Sequence, residues 1–219
     1  MSPKPETIHL WAPSFTGFGG GITQFSKELS FAVEGEVILF GKFDDSGSFG
    51  NRKLWGTGNL AGFLQTPIFV ILLIFRALID RPRLIISTHV NFGPVALLIY
   101  NWLEIPYIIV AHGIEVTSAI SKSRRKALVS AGRVLCVSRW TQSLVTDLGV
   151  SSDRVGLILN TVSDDKFVVK VNSQGDLRKR LGVADSCKII LTVARLSATE
   201  GYKGYDRLLE CLPAVRREL

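Results

Sequence analysis

Residues Leu84 to Glu115, LIISTHVNFGPVALLIYNWLEIPYIIVAHGIE, contain one complete folding unit. Leu84 to Ser87 is a short apolar run that ends in the loop His89-Val90-Asn91-Phe92-Gly93. Pro94 to Leu103 carries helical patterning, and Tyr107 to Val110 is a second apolar run, ending at His112-Gly113-Ile114-Glu115. Two strands that are apolar throughout, joined by a helix, are a parallel pair covered on both faces.

The same alternation extends in both directions. Ile8 to Trp11, Val37 to Phe40, Val134 to Val137 and Val155 to Leu159 read as further strands. Ile22 to Val33, Gly62 to Ile79, Ser118 to Ala131 and Trp140 to Leu148 read as helices. The expected fold class is therefore α/β, a doubly wound parallel sheet of Rossmann type over residues 1–167. A polar linker is expected at 168–176. A second, similar unit then starts over 177–219, with a helical pattern at Leu177 to Leu181 and a strand at Lys188 to Val193.

Composition narrows the class. Cys136, Cys187 and Cys211 stand far apart without paired spacing or neighbouring histidines, which argues against a disulfide framework and a zinc site and for a reducing, cytoplasmic setting. The first residues, MSPKPETIHLWAP, lack the pattern of a signal peptide. Pro67 to Ile79, PIFVILLIFRALI, is too short to span a bilayer and is interrupted by Arg76. It reads as a buried helix packed on the sheet, with an interfacial segment as the alternative. The net charge of +7 is uneven: Lys122, Arg124, Arg125, Lys126, Arg133 and Arg139 lie in Val116 to Thr146, which contains no acid. Such a face attracts lipid headgroups or phosphates, or is simply solvated. It lacks the interleaved aromatics that single-stranded nucleic acid requires, so no nucleic-acid partner is expected.

In a doubly wound sheet ligands bind beyond the carboxyl ends of the strands. Ala12 to Gly21, APSFTGFGGG, follows the first strand, and its three glycines permit positive φ and close approach of a ligand. It is not a dinucleotide fingerprint, because the G-x-G-x-x-G spacing is missing. His112, at a strand end and followed by glycine, could bond a sugar hydroxyl or assist proton movement. The alternative for His112, and for His89, is a ring satisfied by backbone groups. Ser138 reads as the cap of the helix after it. Near the end, LTVARLSATEGYKGYDRLLECLP over Leu191 to Pro213 would deliver Arg195 from a strand and Lys203 from a helix start, two cations suited to a diphosphate.

Together these segments resemble the GT-B-fold glycosyltransferases of family 4, over nearly the whole chain. Gly20-Gly21-Ile22 through Glu28-Leu29 looks like that family's glycine loop and helix, His112-Gly113 like its strand-end histidine motif, and Val137-Ser138 like the following strand and cap. Asn160 to Phe167, NTVSDDKF, is similar to its interdomain motif, with Thr161 and Ser163 where the motif has glycine and aspartate. Ala194-Arg195-Leu196 with Glu200-Gly201-Tyr202-Lys203-Gly204 resembles its donor-phosphate motif.

The resemblance implies transfer of a sugar from a nucleotide-sugar donor with retention. Gly20 and Gly21 would approach the donor, His112 would act as the catalytic contact near the reacting carbon, and Arg195 and Lys203 would neutralise the leaving diphosphate without a metal or other cofactor. It also implies an acceptor on the N-terminal side, a glycan or lipid-linked molecule, with Lys122, Arg124, Arg125 and Lys126 facing it or the inner membrane surface. The family's second domain carries two donor-binding glutamates two helical turns apart. With no such pair here, the chain alone is expected to be weakly active or inactive. A non-catalytic acceptor-binding subunit that needs a second chain, and self-association, are the alternatives. A dehydrogenase or epimerase would need a dinucleotide fingerprint and a Tyr-Lys pair in one helix, and neither is present.

Overall fold

The computed structural model describes residues 7–17, 20–117, 120–161, 174–184, 186–194 and 203–218. The chain divides into two compact units, Met1–Ser163 and Asp164–Leu219.

The first unit is one eight-stranded sheet built from β1 (Ile8–Ala12), β2 (Val37–Gly41), β3 (Gly47–Phe49), β4 (Arg52–Gly56), β5 (Leu84–Ser87), β6 (Tyr107–Ala111), β7 (Arg133–Cys136) and β8 (Val155–Leu157). Their order is β3-β4-β2-β1-β5-β6-β7-β8. All neighbours are parallel except the β3–β4 hairpin. Six of these strands sit within two residues of the sequence reading. The hairpin strands, GSF and RKLWG, carry too few apolar residues to signal strand in the sequence.

The helices are α1 (Gly21–Ala32), α2 (Gly62–Asp80), α3 (Gly93–Leu103), α4 (Lys122–Ser130) and α5 (Arg139–Asp147). Helix α4 begins later than the pattern expected. Ser121 supplies its N-cap, accepting from the Arg124 N–H, and an oxygen acceptor there fixes where the first turn starts. Ser138 caps α5 as expected, accepting from the Thr141 N–H at 3.1 Å.

Alternating residues of the strands feed two cores. Ile8, Leu10, Val37, Leu39 and Leu54 pack with Leu29 of α1 and with Val33, its C-cap, on one face. Trp11, Phe40, Ile85, Ile109 and Val134 face the other way, against α2 to α5. Helix α2 corrects the expectation of a buried helix. Only Phe69, Leu73 and Ala77, one stripe at four-residue spacing, are buried. A single helix lying on a sheet can turn only one stripe toward it.

The second unit holds α6 (Gln174–Leu181), an apolar segment around Ile189 to Val193, and α7 (Tyr205–Glu218). Helix α6 starts inside the stretch read as a linker, and the expected domain end at Phe167 lies outside the described residues. Lys188 to Val193 forms no strand: among the described residues no neighbour pairs with its backbone, and a strand exists only in a ladder. Ile190 and Thr192 border a cleft with Leu208, Leu209 and Leu212 of α7.

Candidate functional site

Strand order reverses at β1, whose chain neighbour β2 lies on one side and β5 on the other. This is the switch point at which an open α/β sheet forms a crevice beyond its strand ends. The loops after β1, β2, β5 and β6 meet there.

The loop after β1 is held from below by Asp44, a residue that sequence reasoning did not single out. Its carboxylate accepts from Ser14 Oγ at 2.6 Å, from the Phe15 N–H at 2.7 Å, and from both Thr16 Oγ1 and the Thr16 N–H at 2.7 and 3.2 Å. Ser14 Oγ in turn accepts from the Gly17 N–H. Three glycines make room for this buried aspartate: a Cβ on Gly41 would stand 2.0 Å from Asp44 Oδ2, one on Gly56 2.0 Å from the Asp44 carbonyl, and one on Gly58 2.6 Å from the Phe43 carbonyl.

Gly20 and Gly21 differ from this group and from the sequence expectation. Gly20 has φ −70° and Gly21 is the first residue of α1, so neither uses the left-handed region, and Gly19 lies outside the described residues. Among the described residues, a Cβ on either would meet no atom within 4 Å outside its chain neighbours and its own helix backbone. Among the described residues no side chain caps α1. The first turn therefore presents backbone N–H groups and open space, the arrangement that receives an anion.

Across the crevice, Ser26 of α1 shares a 2.7 Å hydrogen bond with Thr88 beyond β5, and His112 Nε2 lies 3.0 Å from the Thr88 carbonyl. A carbonyl only accepts, so Nε2 carries the proton and Nδ1 of the neutral ring is an acceptor. Phe25 meets the His112 ring edge-on at 5.1 Å. The His112 N–H donates to Glu115 Oε1 at 2.8 Å, while Glu115 Oε2 is buried without a hydrogen-bond partner among the described residues. Burial lowers the pKa of His112, against an upward pull from Glu115 and from the Thr88 carbonyl. Burial lowers that of His89 too; Glu115 pulls it up, and His112 and Arg124 push it further down. Gly113 is fixed by its φ of +111° and by Trp140, 3.0 Å from where a Cβ would stand.

Beside these groups a cavity of roughly 370 Å³ opens between the strand tips and α2. Lys42, His89, Asn91 and Arg124 give it polar walls; Phe69 and Val70 are among its apolar ones. Helix α4 thus splits its four cations. Arg124 reaches this cavity, whereas Lys122, Arg125 and Lys126 border a groove toward Leu148, and Arg125 Nε donates to the Leu148 carbonyl at 2.9 Å. In the second unit Lys203 precedes α7, followed by Gly204 at φ +74°. Arg195, Leu196 and Glu200 to Tyr202 lie outside the described residues, as does the interdomain motif from Val162 onward. Among the described residues no three His, Cys, Asp or Glu side chains form a metal-binding group.

Comparison with known proteins agrees with this architecture. The profile of Glycosyltransferase Family 4 matches residues 35–166. Of the solved structures, a glycosyltransferase from Rickettsia africae ESF-5 superposes with a TM-score of 0.61 at 15% identity, covering 97% of this chain and 58% of that one. Anabaena Alr3699/HepE in complex with UDP-glucose gives 0.57 at 18% identity, covering 82% and 50%. Sucrose-phosphate synthase from Thermosynechococcus elongatus gives 0.56 at 16%, covering 82% and 53%. The chain therefore spans about half the length of these structures, and at such identities the likeness is one of fold. No curated protein sequence matches it.

Proposed function

The chain belongs to Glycosyltransferase Family 4, and from that membership we propose that it serves to transfer a sugar from a nucleotide-sugar donor to an acceptor, with retention at the anomeric carbon. The observation that carries the reading is the open space at Gly20 and Gly21, on an uncapped helix N-terminus within the crevice that His112 borders. Glycines where no described residue competes for the room suit a ligand that closes on the backbone. The donor proposed is one of the UDP-sugar type, the kind bound in the HepE complex.

In this reading the free N–H groups of α1 face donor oxygens, and His112 Nδ1 accepts from a sugar hydroxyl while Thr88 and Phe25 hold the ring. A neutral imidazole suits this role, since it accepts without adding charge beside a carbon that becomes positive during transfer. On the second unit Arg195 and Lys203 meet the charge that develops on the departing diphosphate, the electrostatic route to a lower barrier, and no metal or cofactor is called upon. The cavity lined by Lys42, His89 and Arg124 takes the acceptor. Two cations and a neutral imidazole next to apolar walls favour an acceptor with a phosphate or other anion joined to an apolar portion, a lipid-linked molecule handled at the cytoplasmic membrane face.

The test is a transfer reaction with a labelled UDP-sugar and a polyprenyl-phosphate-linked acceptor, with the anomeric configuration of the product read by NMR. The expected product keeps the donor's configuration; an inverted product overturns the mechanism, and labelled NAD turnover overturns the class.

A further inference from the structure

Helix α2 is apolar over most of its surface. Its mean hydropathy of 2.0 over an 18-residue window is that of a membrane-crossing segment, and it is the one such helix among the described residues. Yet Phe69, Leu73 and Ala77 are committed to the sheet, and Arg76 is held by Asp80 through two hydrogen bonds. A helix tied to a sheet along its length lies on a bilayer rather than across it. Its other side is a continuous stripe, Leu64, Ile68, Ile71, Phe75, Leu78 and Ile79, all exposed. Ile71 is 65% exposed and Phe75 57%. At the head of the helix Phe63 is 81% exposed. An apolar strip of this length left open to water marks a binding surface.

Its surroundings indicate what covers it. Helix α3 packs against α2, and α4 packs against α3, so their outer sides adjoin. Helix α3 presents Trp102, 66% exposed, and Tyr100, the two residue types that gather at membrane interfaces. Helix α4 presents Lys122, Arg124, Arg125 and Lys126. From Ser46 to Thr146 the sequence has eleven lysines and arginines against three acids, Asp80, Glu104 and Glu115. Asp80 is paired with Arg76, and Glu115 turns toward the histidines. An apolar helix followed by interfacial aromatics and then by cations complements an anionic lipid surface in the order of its layers.

We propose that the outer face of α2 and α3, continued by the cations of α4, docks this protein onto an anionic bilayer. The cavity lined by Lys42, His89 and Arg124 is itself walled by Thr66 and Val70 of α2, so docking brings its mouth next to the lipid. The inference deepens the acceptor reading above, and its test is independent of any sugar transfer.

The experiment is flotation of the full chain with vesicles of phosphatidylcholine, with and without phosphatidylglycerol, and with no nucleotide sugar or acceptor present. The wild-type chain is expected to float with the mixed vesicles, with a blue shift of tryptophan emission that Trp102→Phe removes. Ile71→Ser with Phe75→Ser should weaken partitioning by about tenfold for each side chain, without lowering the thermal unfolding midpoint, because both side chains are exposed. Wild-type protein that fails to float, or a double variant that floats equally well, overturns the proposal. So does a chain that self-associates in sedimentation velocity through Ile71 and Phe75 while ignoring vesicles, which would assign the face to a second copy. Flotation retained while transfer fails counts against the sugar-transfer reading alone; transfer retained while flotation fails counts against this one.

Discussion

Asp44 Oδ1 and Ser14 Oγ stand 2.6 Å apart, and through that contact the loop after β2 fixes the loop after β1. With the Phe15 and Thr16 groups also bound to it, one buried carboxylate sets the course of the chain toward α1. Asp44→Ala should cost about 3 to 5 kcal/mol in urea denaturation, because several buried donors are left without an acceptor. Gly41→Ala should be destabilising by a similar route, since its Cβ would enter the space of Asp44 Oδ2. An unchanged midpoint in both would show that the loop is held otherwise.

His9 supplies a pH dependence. It is fully buried on β1, with Nε2 3.0 Å from Asp80 Oδ2. That spacing suggests an ion pair, but burial outweighs the carboxylate and pulls the His9 pKa down to about 4, so at neutral pH a neutral ring donates to Asp80. The folded chain thus resists a proton that the unfolded chain takes up near pH 6.5. Stability from this site is present above that pH and is lost as pH falls toward 4, by on the order of 3 kcal/mol. His89 and His112, whose pKa values are also lowered, act in the same direction. Urea midpoints measured from pH 7 to pH 4 should fall, and fall less steeply in His9→Phe.

Glu115 raises the proton affinity of His89 and His112. Glu115→Gln keeps an oxygen acceptor for the His112 N–H and removes the charge. Both rings should then titrate at lower pH by NMR. Unmoved titrations would place Glu115 electrostatically apart from the pair.

Gly113→Ala tests whether His112 is set by its neighbour. The residue sits at φ +111° against Trp140, so a methyl group should cost about 1 to 3 kcal/mol and disturb the contact of His112 with Thr88. The histidine chemical shifts would report the second effect.

The alternation of strand and helix was legible because buried parallel strands are apolar at every position, as in VILFG and YIIVA. The β3–β4 hairpin was not, because the edge strand β3 is only GSF and β4 beside it carries the polar side chains of Arg52 and Lys53. His112 stood out by its place before a glycine. Asp44 did not, because nothing local separates it from Asp45; its importance lies in groups about thirty positions away in the chain. Helix α2 was legible as a helix but not in its exposure, since hydropathy records composition and not which side meets the sheet. Lys188 to Val193 has the composition of a strand, yet pairing depends on a neighbour that composition does not supply.

The most direct measurement is a thermal shift of the chain with UDP-glucose and with NAD, in wild type and in Gly20→Val. A Cβ at Gly20 meets no atom of the described residues within 4 Å, so the fold should persist while the room for the donor is lost. The account predicts that UDP-glucose raises the midpoint of the wild type, that the rise disappears in Gly20→Val, and that NAD raises neither. Equal stabilisation of both proteins by UDP-glucose, or a comparable rise with NAD, would contradict it.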